Sequence, residues 1–528
     1  MRNLICLFLV GILISLSSCR KDFDTVTNSG NLGFSKDTVY LDTVFSTIGS
    51  STYTLKVYNR SDDDIKIPSI HLQNPDSKYR LMVDGLTGED GTDLDNLPDG
   101  RVFNNVELLA NDSLYIFIET TANIVDANPT DFLYTDDIVF DSSNGPQKVN
   151  LVTLIRDAYF LFPKKDANGI KESLLLGTDN GEEVRINGFE LDENDPANGD
   201  EYHFNNTKPY VIYGYAGVPD GKTLTIDPGA KVYFHAESGI VVQPGATINI
   251  NGAVSPDPTN PQQNEVTFEG DRLEPLYEDI PGQWGTIWLR SGSINNSINH
   301  LTLKNATLGL LVENCVLNIQ NSQIYNSANY GILARGATMN NCENLVINLA
   351  GQASLACSLG GSYQFKHCTF NNNWASSNQV AVLVSNYEEQ ADGTNITGSL
   401  NQANFYNCII YSSNNIGLFL DKISDDSFPF LFDVKNCLIK FRDSGTSLAS
   451  NPIYTFIRTP TVENGNIKNK DPKFFNANLN KLNISDDPLG GAFQKGSLSY
   501  LVPLDVLGLA RTSNPPDMGA YQSAAFPE

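Results

Sequence analysis

The chain has 528 residues, 41% of them hydrophobic, which is enough apolar material for a sizeable interior and too much length for one ordinary core, so two or three units are expected. Its 61 Asp and Glu against 35 Lys and Arg give a formal charge of −26, and no Lys/Arg cluster offers the phosphate neutralisation that nucleic acid demands. Nucleic acid is therefore excluded as a partner, anionic polysaccharide is disfavoured unless a divalent cation bridges it, and the acidity otherwise serves solubility.

Arg2 precedes an apolar run from Leu4 to Leu16. At about 13 residues it is short of the ~20 that a bilayer core requires, so residues 1–18 read as a secretory signal. The run ends in Leu16-Ser17-Ser18-Cys19, which resembles the lipobox of bacterial lipoproteins. The resemblance implies that Cys19 becomes the lipidated first residue and tethers the chain to a membrane; an ordinary signal with a chance Cys is the alternative. Arg20-Lys21-Asp22-Phe23-Asp24 is similar to the export signal of Bacteroidota surface lipoproteins, although Phe23 interrupts the acidic pair. It implies a lipid-anchored protein on the outer face of the outer membrane, with residues 19–31 as tether. Without residues 1–18, and so without Arg2, the charge becomes about −27.

Between residues 32 and 156, period-two alternation recurs in TVYLDTVF, STYTLKVYN, DDIKIPSIHL, YRLMV, SLYIFIETT, DDIVFD and KVNLVTLIRD, with polar turns between them. Roughly seven short strands of this kind predict an antiparallel β-sandwich. The order strand, Asn, polar turn, strand in LKVYNRSDDDIKI at Leu55 to Ile67 resembles immunoglobulin-like domains, without the Cys pair of antibody domains, so the likeness concerns architecture only. A spacer between membrane and the remaining chain is the expected role. Asp24-Thr25-Val26, Asp37-Thr38-Val39, Asp42-Thr43-Val44 and Asp112-Ser113-Leu114 resemble the O-glycosylation sequon of Bacteroidota and imply modification at Thr25, Thr38, Thr43 and Ser113. Free occurrence of such tripeptides in Thr-rich strands is the competing explanation.

Residues 157–208 read as a mixed linker with an exposed acidic loop at Asp192 to Glu201. From Pro209 a beat sets in. Leu224, Val232, Ile240 and Ile248 fall eight residues apart, and Ile226, Phe234, Val242 and Ile250 keep the same step two positions later. Alternation within each short strand sends these residues to one face, while Pro228-Gly229, Ser238-Gly239, Pro244-Gly245 and Asn251-Gly252 mark corners. Three steps make a circuit of about 24 residues, so the chain returns to lie on itself as a three-sided solenoid over residues 209–460. The succession LTIDPGAKVYF, GIVVQPGATININGA, VTFEG and GQWGTIW resembles the secreted right-handed parallel β-helix proteins of bacteria. The fold class expected is all-β: an immunoglobulin-like sandwich followed by a right-handed parallel β-helix.

A second repeat follows. Lys304-Asn305-Ala306, Gln320-Asn321-Ser322, Asn340-Asn341-Cys342, Lys366-His367-Cys368, Tyr406-Asn407-Cys408 and Lys435-Asn436-Cys437 each end in a small residue, at intervals of 16, 20, 26, 40 and 29. An Asn on each rung can stack on its neighbour at ~4.8 Å, with a small residue inside the bend. Outside the signal, six cysteines lie in this half without a CxxC pair and read as buried thiols rather than disulfides or metal ligands. The insertion at 271–282 and the loop at 386–399 are the natural places for recognition, since loops on a rigid stack vary freely. The tail, with DPKFF, DVLGLAR and PDMGAY, resembles the closing segment of many β-helix proteins and is expected over residues 461–528 as a terminal cap.

The β-helix resemblance raises pectate lyases and polygalacturonases, but a fold does not decide an activity. A lyase of that kind needs acidic calcium ligands and an Arg or Lys base, and a hydrolase needs paired carboxylates. Neither family's motif series is present. Asp421, Asp425 and Asp426 in LDKISDDSF are the nearest candidates, against an ordinary solvated loop. Trp374, Tyr277 and Tyr387 are candidate ligand contacts, Trp284 and Trp288 read as core or corner residues, and His235 and His300 as polar corner residues. The expectation is a non-catalytic envelope scaffold that touches glycans or another envelope component, needing no cofactor. The alternative is a polysaccharide lyase or glycoside hydrolase, and only that alternative calls for calcium.

Overall fold

The structure is a computed structural model that describes residues 24–89, 99–179, 181–257 and 263–526. Residues 1–18 and Cys19 lie outside the described residues. The chain divides into two compact units after Asp157.

The first unit is a sandwich of a six-stranded and a four-stranded sheet; the pairing is antiparallel as expected except in the six-stranded sheet, where Thr38–Phe45 pairs with Gln147–Arg156 and Val26–Thr27 with Ile65–Leu72 in parallel. Alternation does the sorting. In Tyr79–Val83 every second residue is buried, and Ser113–Thr120 sends Leu114, Ile116 and Ile118 inward. They meet Val39, Leu55, Val57, Ile67, Phe140 and Leu151 in one core, each worth roughly 1.5–3 kcal/mol. Asn59 of the strand, Asn, turn, strand segment is buried, and its side chain closes the turn. Its Nδ2 donates to the carbonyls of Asp63 at 2.8 Å and Leu109 at 3.0 Å, while its Oδ1 accepts from the Ser61 amide at 3.0 Å.

The second unit is a solenoid of three stacked parallel sheets of 11, 10 and 9 strands, here sheets A, B and C. The eight-residue beat is visible as Thr223–Ile226 in sheet C, Lys231–Phe234 in A, Gly239–Val242 in B and Thr247–Asn251 in C again. Leu224 stacks on Ile248 and Val232 on Phe268, so the residues chosen by periodicity form the interior. Trp284 is inside as expected, its ring stacked on Phe234 at 4.2 Å and its N–H donating to the Lys304 carbonyl.

Three expectations about the solenoid need correction. Residues 157–208 are not a linker. Tyr159–Leu161, Glu182–Glu190 and His203–Phe204 pair in parallel with strands of sheets A, B and C and make the first rung. A hairpin of Ser173–Asp179 with Glu182–Glu190 and the acidic loop stretch this rung past the eight-residue beat and hide it. The loop is mostly exposed but anchored by buried Asp195, whose carboxylate accepts the amides of Ala197 and Asn198 at 2.8 Å and pairs with Lys164.

Residues 461–528 do not cap the last rung. The end of the interior is closed by Tyr454 and Ile457 from a helical stretch at 452–458, with Tyr454 packed on Phe441 and accepting the Leu420 amide at 2.8 Å. After its strand Ile467–Lys468, the tail instead runs back along the outside of sheet A as a strap. There Leu482, Ile484, Met518, Ala520 and Tyr521 cover Tyr325, Val346, Ile409 and Leu438. The reason lies in the sheet: Val346, Thr369, Ile409 and Leu438 stand in one outward column, and such a row needs cover. The residues of DVLGLAR and PDMGAY build the turns of this strap. Asp505 accepts the amides of Leu507, Leu509 and Gln522, and Asp517 those of Gln494 and Ser523. Gly519, at φ 89°, approaches so closely that a Cβ would sit 2.6 Å from Ile409 and 2.7 Å from Thr369.

The six repeat tripeptides do not share one column. Asn321, Asn344, His367, Asn407 and Asn436 follow one another at the entry to sheet A, each with φ between 48° and 55°. Asn344 takes the place expected for Asn341, which is exposed on sheet C, and Asn305 belongs to the exit corner with Asn326. Asn tolerates this left-handed backbone and its amide reaches the next rung: Asn344 Nδ2 donates to Asn321 Oδ1 at 2.8 Å. Cys368, Cys408 and Cys437 follow this column inward, and the six cysteines among the described residues are buried and unpaired.

Candidate functional site

Sheet B carries the face with the most chemistry. Trp288, Leu311, Leu333, Ala356, Leu383 and Phe419 stand in register on successive strands, pointing away from the interior. Five steps of ~4.8 Å make this apolar stripe about 24 Å long. All but Ala356 are half-buried, so edges of the side chains reach solvent.

Two residues along each strand runs a polar stripe of Arg290, Glu313, Arg335, Ser358, Ser385 and Asp421. Glu313 accepts the Trp288 indole N–H at 2.7 Å on Oε2 and Arg335 Nη1 at 2.5 Å on Oε1. The other edge of Arg335 grips Glu388, with Nη2 at 2.7 Å and Nε at 3.0 Å, and Ser358 donates to Glu388 at 2.6 Å. Glu388 comes from the loop at 386–399, which folds as a small hairpin of Tyr387–Glu389 with Asn395–Thr397. Tyr387 donates to Asp421 at 3.0 Å. Ion pair and hydroxyl contacts thus hold the hairpin against the sheet.

The electrostatics match this geometry. The bonds to Glu388 push the Arg335 guanidinium up. Burial would raise the Glu388 carboxyl, but Arg335 and Ser358 overcome it and hold it below the ordinary range. Burial and the contact with Asp421 raise the Tyr387 phenol. Burial lowers the Arg290 guanidinium, which lies 5.5 Å from the Trp288 ring centroid. Each carboxylate of the network is matched to a donor. The arrangement orients the side chains of the two stripes.

Of the sequence-predicted residues, Tyr387 and Asp421 meet here. Asp425 and Asp426 do not join them: both are exposed, Asp425 accepts the Ser427 amide and Asp426 pairs with Lys422. Tyr277 lies in the 271–282 insertion beneath Arg272, 4.0 Å from the guanidinium. Trp374 is half-buried against Gly351. Tyr277 and Trp374 occupy the corner between sheets A and B, with the turns at Thr307, Ala328 and Gly351 between them. His235 is held by Asp271 at 2.8 Å, and Tyr213 packs on its ring. Thr25, Thr38, Thr43 and Ser113 are half-buried in the sandwich unit. Among the described residues no three His, Cys, Asp or Glu gather in a way that fits a metal ion. Sequence reasoning missed the outward role of Trp288: GTIWL reads as a core strand, and the signal for it is only that Trp288 is out of phase with Ile287 and Leu289, which are interior.

Residues 308–484 match the family model described as a right-handed β-helix region. The solenoid is right-handed and the fold all-β. No curated protein sequence matches the chain. Among solved structures, the chain is similar to the catalytic domain of a GH87 α-1,3-glucanase in complex with nigerose, at 11% identity over 73% of this chain and 82% of that one, with TM-score 0.18. It is also similar to a family 123 glycoside hydrolase from Clostridium perfringens, at 8% identity and TM-score 0.16. That match covers 25% of this chain and 30% of the hydrolase. At these scores neither likeness bears on activity.

Proposed function

We propose that the protein is a lipid-anchored, non-catalytic scaffold of the outer cell envelope that contacts a glycan through the outer face of sheet B. The observation that carries this reading is the stripe from Trp288 to Phe419 with its polar flank. Ring faces and aliphatic edges suit the apolar faces of sugar rings, and the Glu313, Arg335 and Ser358 row beside them suits hydroxyls. The acidic chain favours a neutral glycan. The LSSC segment ending at Cys19 supports the lipid anchor, and the sandwich then stands between anchor and solenoid in the chain.

Lyase or hydrolase activity is the alternative, and one experiment separates the two. The protein is tested on a glycan array and, with and without calcium, for turnover of polyuronates. Retention of a neutral glycan that falls about tenfold in Trp288→Ala, with no turnover, is the expected outcome. Release of unsaturated uronides would overturn the non-catalytic reading, and undiminished retention by Trp288→Ala would remove sheet B from it.

A further inference from the structure

A chain of side-chain amides joins the strap to sheet A and then runs out. Asn480 Nδ2 donates to Asn326 Oδ1 at 3.0 Å, Asn348 Nδ2 to Asn480 Oδ1 at 2.9 Å, and Asn371 Nδ2 to Asn348 Oδ1 at 2.8 Å. Backbone partners fix the direction of this chain. Asn348 Nδ2 also donates to the Ala477 carbonyl at 2.8 Å, and Asn348 Oδ1 also accepts the Asn373 amide at 3.2 Å. Each amide therefore donates backwards and offers its oxygen forwards. The next position belongs to Tyr411, which stands in register with Asn371 and carries no amide. Asn371 is 2% exposed, and its Oδ1 accepts no hydrogen bond from the described residues.

This oxygen is not sealed by protein, because Asn371 lines a cavity of about 330 Å³ between sheet A and strap residues 471–477. Tyr411 and Lys440 continue the outward column along the same cavity, one and two rungs beyond Asn371. Neither the Tyr411 hydroxyl nor the Lys440 ammonium has a hydrogen-bond or ion-pair partner among the described residues. Lys440 Nζ leans back over the Tyr411 ring, 5.0 Å from its centroid, so its charge stays within two rung steps of ~4.8 Å from the Asn371 position. On the strap side stands Asp471, whose Oδ1 accepts the Lys473 amide at 2.8 Å and whose Oδ2 lies 3.7 Å from Lys473 Nζ. Burial and Arg442 lower the Lys440 ammonium against the pull of Asp471, and burial with Asp471 raises the Tyr411 phenol. Pro472, Phe474 and Ala477 form an apolar wall.

The charged groups that line the cavity are one cation and one carboxylate, beside a buried acceptor without a donor. A simple anion answers Lys440 but brings no donor to Asn371, and a simple cation leaves Lys440 unpaired and repels it. A compact zwitterion answers both, and a cavity of this volume is of the size that small ligands occupy. We propose that the cavity is a binding site for a free α-amino acid with an apolar side chain. Its carboxylate pairs with Lys440 and accepts the Tyr411 hydroxyl, its ammonium donates to Asn371 Oδ1 and faces Asp471, and its side chain lies against Pro472 and Phe474.

The test titrates the full chain with L-leucine, followed by calorimetry and ligand-observed NMR. N-acetyl-L-leucine, L-leucine amide and the α-hydroxy acid of the same skeleton remove the ammonium, the carboxylate charge and the ammonium charge in turn. Saturable binding of leucine is expected, with each analogue at least about tenfold weaker. Lys440→Met keeps a stem over Tyr411 and should weaken leucine about tenfold or more. Asn371→Ala leaves Asn348 Oδ1 with the Asn373 amide and should weaken leucine as well. If Asn371→Ala does not fold, Lys440→Met decides. No saturable binding of leucine, as expected of a cavity that holds only water, overturns the proposal. So does any analogue, or glucose, binding as tightly as leucine, and so does leucine binding unchanged by Lys440→Met.

Discussion

Arg511 is the residue on which attachment of the strap depends most. It is 6% exposed, and its Nη2 donates at 3.0 Å to Asn344 Oδ1 on the solenoid and to the carbonyls of Gly519 and Ala520, while Nη1 reaches the Tyr521 carbonyl at 3.3 Å. Burial lowers its guanidinium to about 10 against the pull of Asp505 and Asp517. Replacing it by Met removes four charge-assisted bonds and leaves three carbonyls and two buried aspartates, Asp505 and Asp517, without their cation. Breaking a buried charged network from one side costs about 3–5 kcal/mol, or two to four decades in a local opening equilibrium. Hydrogen exchange read by mass spectrometry on peptides of 515–524 should therefore accelerate by about 10² or more in Arg511→Met. Peptides of the core strand Val346–Ala350 should keep their protection, because the interior of the stack does not include Arg511. Unchanged exchange in 515–524 would refute the strap argument. Equal acceleration in both peptides would show that strap and rungs open as one unit.

Two further outcomes follow from burial and charge. The six thiols should resist alkylation by iodoacetamide in the folded chain and react together on unfolding, since burial raises the thiols of Cys342, Cys357, Cys368 and Cys437 well above the usual range. Labelling of any of these six in the native chain would contradict this. Glu388→Gln should destabilise the hairpin at 386–399 by about 1–3 kcal/mol at pH 7. Because the folded carboxyl is held below its unfolded value of 4.5, the stabilisation is complete above pH 4.5 and is lost as pH falls through the folded value. Proteolysis within the hairpin, compared between Glu388→Gln and the parent from pH 7 to 3, should show a difference that closes at the acid end; a difference that persists there would refute the role of the charge.

The interior of the solenoid was legible because it is a local pattern. A strand must alternate and a rung must return after about 24 residues, so Leu224, Val232 and Ile240 declare themselves without knowledge of their neighbours. The sandwich was legible for the same reason. The ladder was half legible: Asn and small residues pointed to corners, but spacing varies from rung to rung, and only pairing distinguishes Asn344 from Asn341. The candidate site shows the same limit. Tyr387 and Asp421 were singled out separately, yet the contact of Tyr387 with Asp421 and the grip of Arg335 on Glu388 join residues 34 and 53 positions apart in the chain.

What the amino-acid order alone determined is therefore a stack of short strands, its apolar lining and the turn residues that make its corners, because each of these is set within a few residues. Only the tertiary structure decided that residues 157–208 begin the stack, that the tail lies along sheet A instead of over its end, and that Trp288 faces outward beside an ion network. Those outcomes depend on which surfaces meet after the chain has turned many times. An outward apolar column such as Val346, Ile409 and Leu438 creates the need for cover, and the same polar turns in the tail satisfy either docking until the two surfaces are brought together.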